Sequence, residues 1–261
     1  MLEVVIRLTR ATRFLPRFTG VNLLQGLWGR ILDPDALYRI HNFDGDLKLD
    51  VNMSETTGVN LWHVPQLYER RERKLFCAAI APGCTVLDVG AHIGIYTLLA
   101  AKRGAHVFAV EADPANVTRL RHHLEINALG QQVTVFEMAA IDREATVLLH
   151  RNPSNSGGSS LTVGIGTIPV QGRTIDSLEL PPIDVCKMDI EGAELGAFMG
   201  MRDTLRRSPR MKLLIEYVES FADPAALLSF IREHFAHVAV AGRGELDGAK
   251  PPAECNLWCW N

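Results

Sequence analysis

From Thr85 onward, short apolar segments typical of β-strands alternate with longer segments typical of helices, and this alternation constrains the fold more than any other feature. The strand-like segments are nearly continuous in apolar residues, which is typical of a parallel sheet covered by helices on both faces. They are TVLDVGA, HVFAVEA, VTVFEMAA, DVCKMDI and MKLLIEYV, followed after another helix by HVAVAG and CNLWCWN. No helix separates the last two, so the final strand is predicted to turn back antiparallel in an α/β fold.

Between the third and fourth strands the alternation is interrupted by ATVLLHRNPSNSGGSSLTVGIGTIPVQGR. Two strand-like runs flank a Ser/Gly/Asn-rich loop, and the runs are too apolar for a flexible linker. The pattern predicts a hairpin insertion within residues 145–173, close to the functional site, with Asn155–Ser160 as its tip. The helix after the fourth strand is predicted to span AELGAFMGMRDTLRRS, residues 193–208.

The chain before this alternating region reads as an extension, so we divide the protein into residues 1–80 and residues 81–261. Alternating runs around Asp44-Gly45 predict a β-hairpin, because both turn positions require positive φ. The first thirty residues are basic and amphipathic. Three interpretations stay open for them: a helix packed on the domain or on a second subunit, a weakly membrane-bound surface helix, or an organelle-targeting segment.

The composition indicates which kinds of partner and which redox compartment to expect. A net charge of −3 gives no electrostatic reason to expect nucleic acid. No apolar run approaches the roughly 18 residues of a membrane-spanning helix. The odd number of cysteines, without a C-x-x-C pair, indicates free thiols in a reducing cytoplasm rather than disulfides or a zinc site. The cysteines are Cys77, Cys84, Cys186, Cys255 and Cys259.

Gly90 follows the first strand, where ligands bind to open parallel sheets, and Glu111 ends the next strand roughly 20 residues later. The glycine alone is equally explained by strand–helix packing, but a strand-end carboxylate is suited to accept hydrogen bonds from both ribose hydroxyls. Ala91 and His92 occupy the middle of the turn, so the dinucleotide fingerprint G-x-G-x-x-G is absent. An adenosine ligand with a single carboxylate, such as S-adenosylmethionine, fits better than NAD.

The fourth strand ends in CKMDIEGAEL, which carries Lys187, Asp189, Glu191 and Glu194. If the strand stops near Asp189, Glu191 falls in a turn and Glu194 begins a helix, where an acid favours the helix dipole. A Lys–Asp ion pair and a helix-terminal acid are the structural alternative. As a catalytic group, Asp189 would accept a proton, orient the acceptor, or ligate a divalent cation such as Mg²⁺ together with Glu216. Lys187 would hold that carboxylate ionised.

The segments DVGAHIGIYT, VEADPANVTRLRHHLEIN, AAIDREATVLL and KMDIEGAEL resemble, in this order, the FkbM family of S-adenosylmethionine-dependent O-methyltransferases. The resemblance runs from about Tyr68 to Val218, and its specific element is K-x-D-x-E-G-x-E. It implies a Rossmann-like class I methyltransferase fold with a seven-stranded, mostly parallel sheet and an antiparallel last strand. The chain differs from the family pattern at His92, where the family frequently has Asn, and at Val218, where it often has a histidine.

The resemblance also implies roles for individual residues. Gly90, Ala91 and Gly94 would line the methionine part of the cofactor and Glu111 the ribose. Met138 and Ala139 would lie beside the adenine. Asp88, His92 and Ala112 complete the expected cofactor set. Independently of the resemblance, the charges at the end of the fourth strand make Asp189, Lys187 and Glu191 the predicted catalytic residues. Tyr68, Glu69 and Glu216 would contact the substrate.

The leading hypothesis is therefore methyl transfer from S-adenosylmethionine to a hydroxyl of a small molecule, a sugar or a secondary metabolite, in cytoplasmic biosynthesis. The expected partner is that acceptor, glycosylated or not, with a homo-oligomer as a further possibility and no nucleic acid. Two alternatives stay open: a nucleotide-dependent oxidoreductase, and a non-catalytic binding subunit that keeps the methyltransferase fold.

Overall fold

The computed structural model describes residues 33, 36–151, 159–161, 167–221 and 223–261. The chain divides into two compact units, of which the smaller ends at Arg70 and the larger begins at Arg71. The basic amphipathic segment and most of the expected insertion tip, residues 155–158, lie outside the described residues.

The smaller unit contains the hairpin that was predicted around Asp44-Gly45. Strands β1 (Leu37–Phe43) and β2 (Leu47–Asn52) pair antiparallel. Asp44 and Gly45 have φ of 45° and 97°, as the tight turn requires. Helix α1 (Thr56–His63) follows, and helix α2 (Arg70–Ala79) leads on into the larger unit.

A seven-stranded sheet forms the centre of the larger unit. Its strands are β3 (Thr85–Val89), β4 (His106–Glu111), β5 (Val133–Glu137), β9 (Val185–Met188), β10 (Lys212–Val218), β11 (His237–Val240) and β12 (Glu254–Trp260). They lie in the order β11-β12-β10-β9-β3-β4-β5. The neighbouring strands from β10 to β5 pair parallel, whereas β12 runs antiparallel to β10 and β11. The expected class I sheet with a reversed last strand is thereby confirmed.

Helices α3 (Ile95–Lys102), α4 (Pro114–Ile126) and α7 (Pro224–His234) connect these strands. Proline at the first position and an aspartate N-cap start both α4 and α7: Asp113 accepts from the Ala115 N–H, and Asp223 from that of Ala226. The α4 helix ends four residues before Gly130, the expected stop.

The prediction of one helix over residues 193–208 was wrong. The segment forms two short helices, α5 (Glu194–Met199) and α6 (Arg202–Arg207), separated at Gly200 and Met201. A Cβ atom on Gly200 would lie 2.1 Å from the backbone oxygen of Ile141. The break thus lies where another part of the backbone approaches the glycine closely, a contact that no local pattern reveals.

The expected hairpin insertion is present. Its sheet also includes Ala139 and Ala140, which were predicted to belong to the third central strand. After β5 the chain continues as β6 (Ala139–Ala140), which pairs parallel with β8 (Thr167–Arg173). Strand β7 (Ala145–His150) pairs antiparallel with β8. The resulting three-stranded sheet, β6-β8-β7, therefore continues directly from the carboxyl end of the third central strand.

Two further expectations concern bonding and membranes. All five cysteines are free thiols, and Cys186 and Cys259 are buried. Within the part of the chain that the structure describes, no helix has the length and hydropathy needed to cross a membrane.

Candidate active site

The turn after β3 is held against the neighbouring strand by its own backbone. The N–H groups of Gly90 and Ala91 both donate to the Val110 carbonyl, at 2.9 and 3.0 Å. His92 has a φ of 53°, and its N–H donates to Glu111 Oε2 at 2.8 Å. Because that N–H is already bonded, the turn does not offer it to a diphosphate. Gly94, with φ of 95°, then starts α3.

Glu111 at the end of β4 is 7% exposed, and hydrogen-bond donors surround its carboxylate. Besides His92, the Asp113 N–H donates to Oε1 at 2.8 Å and Asn116 Nδ2 donates at 3.3 Å. Burial raises the pKa of Glu111, whereas the N–H groups of Asp113 and His92 act in the opposite direction. The carboxylate is thus fixed in position before any ligand binds.

A cavity opens beside this carboxylate at the carboxyl ends of the strands. Seven of the residues that sequence reasoning selected line it: Gly90, His92, Glu111, Ala112, Met138, Ala139 and Asp189. The other lining residues are Val89, Val110, Asn116, Ala140, Leu149, Ser159, Leu161, Ile190 and Ala193. An apolar wall and a polar corner at Glu111 suit an adenosine group, so the residues fit the expected cofactor.

Three residues of the expected cofactor set are absent from this lining. Ala91 and Gly94 are buried within the turn, and Asp88 is completely buried in β3. Asp88 Oδ2 accepts from Thr97 Oγ1 at 2.6 Å, whereas Oδ1 has no hydrogen-bond partner among the described residues. Burial raises the pKa of Asp88, and the charge of Lys187, its register partner on β9, lowers it. Asp88 thus connects β3 to α3 and does not face the cavity.

Lys187 joins the cofactor turn to the predicted catalytic acid. Its Nζ atom lies 3.2 Å from Asp189 Oδ2, donates to the Gly90 carbonyl at 3.3 Å, and sits 5.3 Å from the centre of the Tyr96 ring. A Cβ atom on Gly90, whose φ is 80°, would lie 1.9 Å from the Asp189 carbonyl oxygen. The turn and the acid are therefore in backbone contact.

β9 ends at Met188, so Glu191 falls in a turn, as the sequence indicated. Glu191 and Gly192 have φ of 54° and 98°. The Glu194 carboxylate closes this turn by accepting from the N–H groups of Ile190 and Gly192, each at 3.0 Å. Glu194 therefore stabilises the start of α5. This is the structural role of a helix-terminal acid, which the sequence left open as the alternative to a catalytic role.

Three carboxyl groups meet at the ends of β9 and β10. One oxygen from each of Asp189, Glu191 and Glu216 lies within 4.8 Å of the others, a spacing that a divalent cation could bridge. Burial, together with the charges of Asp189 and neighbouring glutamates, raises the pKa of Glu191 to about 7 and that of Glu216 to about 9. Sequence reasoning assigned only Asp189 and Glu216 to a cation, but Glu191 belongs to the same group.

The insertion was predicted to lie close to the functional site, but two of its contacts there were not predicted. Arg151 forms a bidentate ion pair with the buried Asp113, in which Nε lies 2.8 Å from Oδ2. Ser160 Oγ donates to the Glu191 carbonyl at 2.7 Å. The insertion thus contacts both the adenosine side and the acidic turn. The partners are 38 and 31 residues apart, so no local motif reveals the pairs.

The remaining weak candidates, Tyr68 and Glu69, belong to the smaller unit. Their role in substrate binding stays a prediction.

The fold and this site define a class I methyltransferase. The family model described as Methyltransferase FkbM domain matches residues 88–237, so the chain belongs to that family. The match includes the glycine turn, Glu111 and the acids of β9 and β10.

Among curated proteins, a ribosomal protein L11 methyltransferase from Carboxydothermus hydrogenoformans is 26% identical over 125 residues, which cover 48% of this chain and 37% of that protein. The matched region thus spans little more than a third of that relative. A solved structure from Clostridium thermocellum, provisionally assigned as an rRNA-methylase, has a TM-score of 0.50 at 10% identity, over 73% of this chain and 93% of that one. This likeness shows the fold alone.

A second solved structure is a provisionally assigned methyltransferase from Streptococcus mutans in complex with SAH. It has a TM-score of 0.48 at 13% identity and covers 74% of this chain and 97% of that one.

Proposed function

We propose that this protein transfers a methyl group from S-adenosylmethionine to a hydroxyl group of a small molecule, such as a sugar or a secondary metabolite. The observation that carries the proposal is the placement of Asp189. It lines the same cavity as Glu111 and contacts the cofactor turn through the Gly90 backbone. A nucleoside-binding carboxylate and a proton acceptor thereby face one space.

Different residues would bind the cofactor and remove the proton of the acceptor. Glu111 would hold the ribose, while Met138, Ala139 and the insertion residue Leu149 would enclose the adenine. S-adenosylmethionine supplies a methyl group on a sulfonium, which is a good leaving group, so the protein must align the acceptor and remove its proton. Asp189 would take the proton from the acceptor hydroxyl as its oxygen bonds to the methyl carbon. Lys187, 3.2 Å away, keeps Asp189 in position for this step.

A divalent cation is a separate part of the proposal. Asp189, Glu191 and Glu216 would hold it through carboxylate oxygens, and bound Mg²⁺ would lower the pKa of an acceptor hydroxyl. Chelation with EDTA tests this part. Loss of turnover that added Mg²⁺ restores would support the cation, whereas unchanged turnover would leave Asp189 as the base without a metal.

The decisive experiment measures binding of S-adenosylmethionine and NAD by calorimetry, followed by methyl transfer to extracts analysed by mass spectrometry. We expect S-adenosylmethionine to bind and products to gain one methyl group. Glu111→Ala should abolish binding, whereas Asp189→Asn should keep binding and lose transfer. Selective binding of NAD would establish the oxidoreductase instead. Biological activity that survives Asp189→Asn but requires Glu111 would identify a non-catalytic binding subunit.

The expectations on partners and location complete the proposal. We place the protein in cytoplasmic biosynthesis, with a small-molecule acceptor and without a nucleic-acid partner. Homo-oligomerisation and weak membrane-surface contact through the N-terminal segment are tested by light scattering and by vesicle sedimentation.

A further inference from the structure

A second, open cavity lies in the larger unit, beside the ends of β10 and β11 and the start of β12. Its lining is mostly polar and comes from four elements and the loop after β11. The lining residues are Arg71, Glu72, Glu216, Val240, Ala241, Arg243, Glu254, Cys255 and Asn256. No aromatic side chain contributes, so the cavity is suited to a hydrogen-bonding ligand rather than an apolar one.

The two cavities meet at the carboxyl groups. Asp189 lines the first cavity and Glu216 lines the second, and their carboxylate oxygens lie within 4.8 Å of each other. Direct displacement requires the acceptor oxygen in line with the methyl group and its leaving group. A molecule seated in the second cavity beside Glu216 would therefore lie within reach of Asp189.

Glu216 is incompletely satisfied at this junction. Its Oε2 atom is buried and has no hydrogen-bond partner within the described part of the chain. Leaving a buried polar atom without a partner is energetically unfavourable. A ligand hydroxyl at the junction of the two cavities would supply the missing hydrogen bond. A purely structural role for Glu216 does not explain why Oε2 lacks a partner.

Two arginines from separate elements line the outer part of this cavity. Arg71 belongs to α2 and Arg243 to the loop after β11, and both are exposed. The Arg71 stem packs against Gly242, where an added Cβ would lie 2.9 Å from Arg71 Cδ. Glycine at 242, with φ of 69°, therefore lets Arg71 approach the loop that carries Arg243.

Neither guanidinium group forms a hydrogen bond or an ion pair within 4.0 Å in the ranges that the structure covers, although Glu72 and Glu254 line the same cavity. Their donors thus stay available to a ligand. Guanidinium groups bind carboxylates and phosphates in a bidentate geometry that neutral hydroxyls do not match.

We propose that this second cavity is the acceptor site, in which Arg71 and Arg243 bind an anionic group of a hydroxylated acceptor. Glu216 accepts a hydrogen bond from one hydroxyl of this acceptor, while Asp189 takes the proton from the neighbouring hydroxyl that is methylated. The anionic group is a carboxylate or a phosphate. This inference rests on the proposed methyl transfer and extends it by giving the acceptor a charge and naming the residues that select it.

Calorimetry on protein saturated with S-adenosylhomocysteine tests the inference with three probes: glucose, glucuronate and glucose 6-phosphate. We expect at least one anionic probe to bind about tenfold or more tightly than glucose, since charge-assisted hydrogen bonds are the stronger ones. The two anions separate a carboxylate site from a phosphate site. The double variant Arg71→Gln, Arg243→Gln should bind all three probes equally weakly.

Arg143→Gln is the matched control, because Arg143 is an exposed arginine that pairs with its neighbour Asp142 outside both cavities. It should retain the preference for anions. Equal binding of the three probes by the unaltered protein would overturn the inference, as would a preference that persists in the double variant. Failure of S-adenosylhomocysteine to bind, measured first, would count against the proposed function itself.

Discussion

Two carboxyl groups of the candidate site, the buried Glu111 and the half-buried Glu216, have different surroundings. Glu111 accepts hydrogen bonds from two backbone N–H groups and from Asn116. Glu216 faces the charges of Asp189 and Glu191, and its Oε2 atom has no partner among the described residues. The Glu111 side is complete before a ligand binds, whereas the Glu216 side is incomplete until a ligand or a proton is added. Changes on the Glu111 side should therefore reduce stability and cofactor affinity together. Neutralising Glu216 should increase stability.

The largest effect is expected from Gly90→Ala, which disturbs the complete side. The substitution combines a left-handed φ of 80° with a Cβ 1.9 Å from the Asp189 carbonyl oxygen. We expect a loss of about 3 kcal/mol or more in the free energy of unfolding, measured with urea. Gly83→Ala has the same φ without neighbours within 4 Å and should lose only about 1 kcal/mol. Gly130→Ala has neither problem and serves as the control. Equal losses in all three variants would contradict the close contact.

The next effect concerns the pH dependence of stability on the incomplete side. Because the pKa of Glu216 is raised to about 9, the folded protein binds more protons than the unfolded chain between the two pKa values. Its stabilising contribution is full below the unfolded pKa near 4.5 and is lost as the pH rises through about 9. The free energy of unfolding should thus fall between about pH 5 and about pH 8.

Glu216→Gln removes this proton uptake. At about pH 8 the variant should be more stable than the unaltered protein by on the order of 2 kcal/mol, with a smaller difference at about pH 5. Glu219→Gln, at an exposed acid that pairs with Lys250, should leave the pH dependence unchanged. A variant that is less stable at the higher pH would show that Glu216 stabilises the fold as an ionised group.

Arg151→Ala removes the ion pair that joins the insertion to Asp113, two residues after Glu111. It leaves the buried Asp113 carboxylate without its bidentate partner. We expect a loss of about 1–2 kcal/mol in stability and about tenfold weaker binding of S-adenosylmethionine in calorimetry. Arg143→Ala, in an exposed pair, should change stability by less than about 0.5 kcal/mol. Unchanged cofactor affinity in Arg151→Ala would mean that the insertion does not shape the cofactor cavity.

The smallest effect should come from Ser160→Ala, which removes the hydrogen bond to the Glu191 carbonyl at 2.7 Å. A loss of about 1 kcal/mol is expected, together with a lower kcat at an unchanged KM for S-adenosylmethionine. Ser177→Ala removes a similar bond, to the Thr174 carbonyl at 2.8 Å, outside both cavities. It should cost similar stability without a change in kcat. The same kinetic effect in both variants would rule out a positioning role for Ser160.

The sequence predicted the parts of this molecule that local rules determine. The strand–glycine–helix order around Gly90, the hairpin at Asp44-Gly45 and the turn at Glu191 follow from backbone preferences of neighbouring residues. The reversed last strand follows from the missing helix between β11 and β12. Met138 and Ala139 were found through family resemblance, and they line the cavity.

The features that the sequence did not predict depend on distant contacts. The helix break at Gly200 lies against the Ile141 backbone, and the Arg151–Asp113 pair joins two elements 38 residues apart. Asn116 had a weaker signal, since it sits in the first turn of α4, five residues after Glu111. Local patterns give the spacing along the chain but not which strand ends meet in space.

The hydrogen bonds between His150 and Ser160 have a mechanical consequence for the site. The two residues exchange backbone hydrogen bonds of 2.8 and 3.0 Å, so Ser160 is fixed beside the end of β7. Ser160 Oγ donates to the Glu191 carbonyl, and β7 leads directly to Arg151, which pairs with Asp113. A displacement of the insertion sheet would therefore be transmitted to both contacts at once.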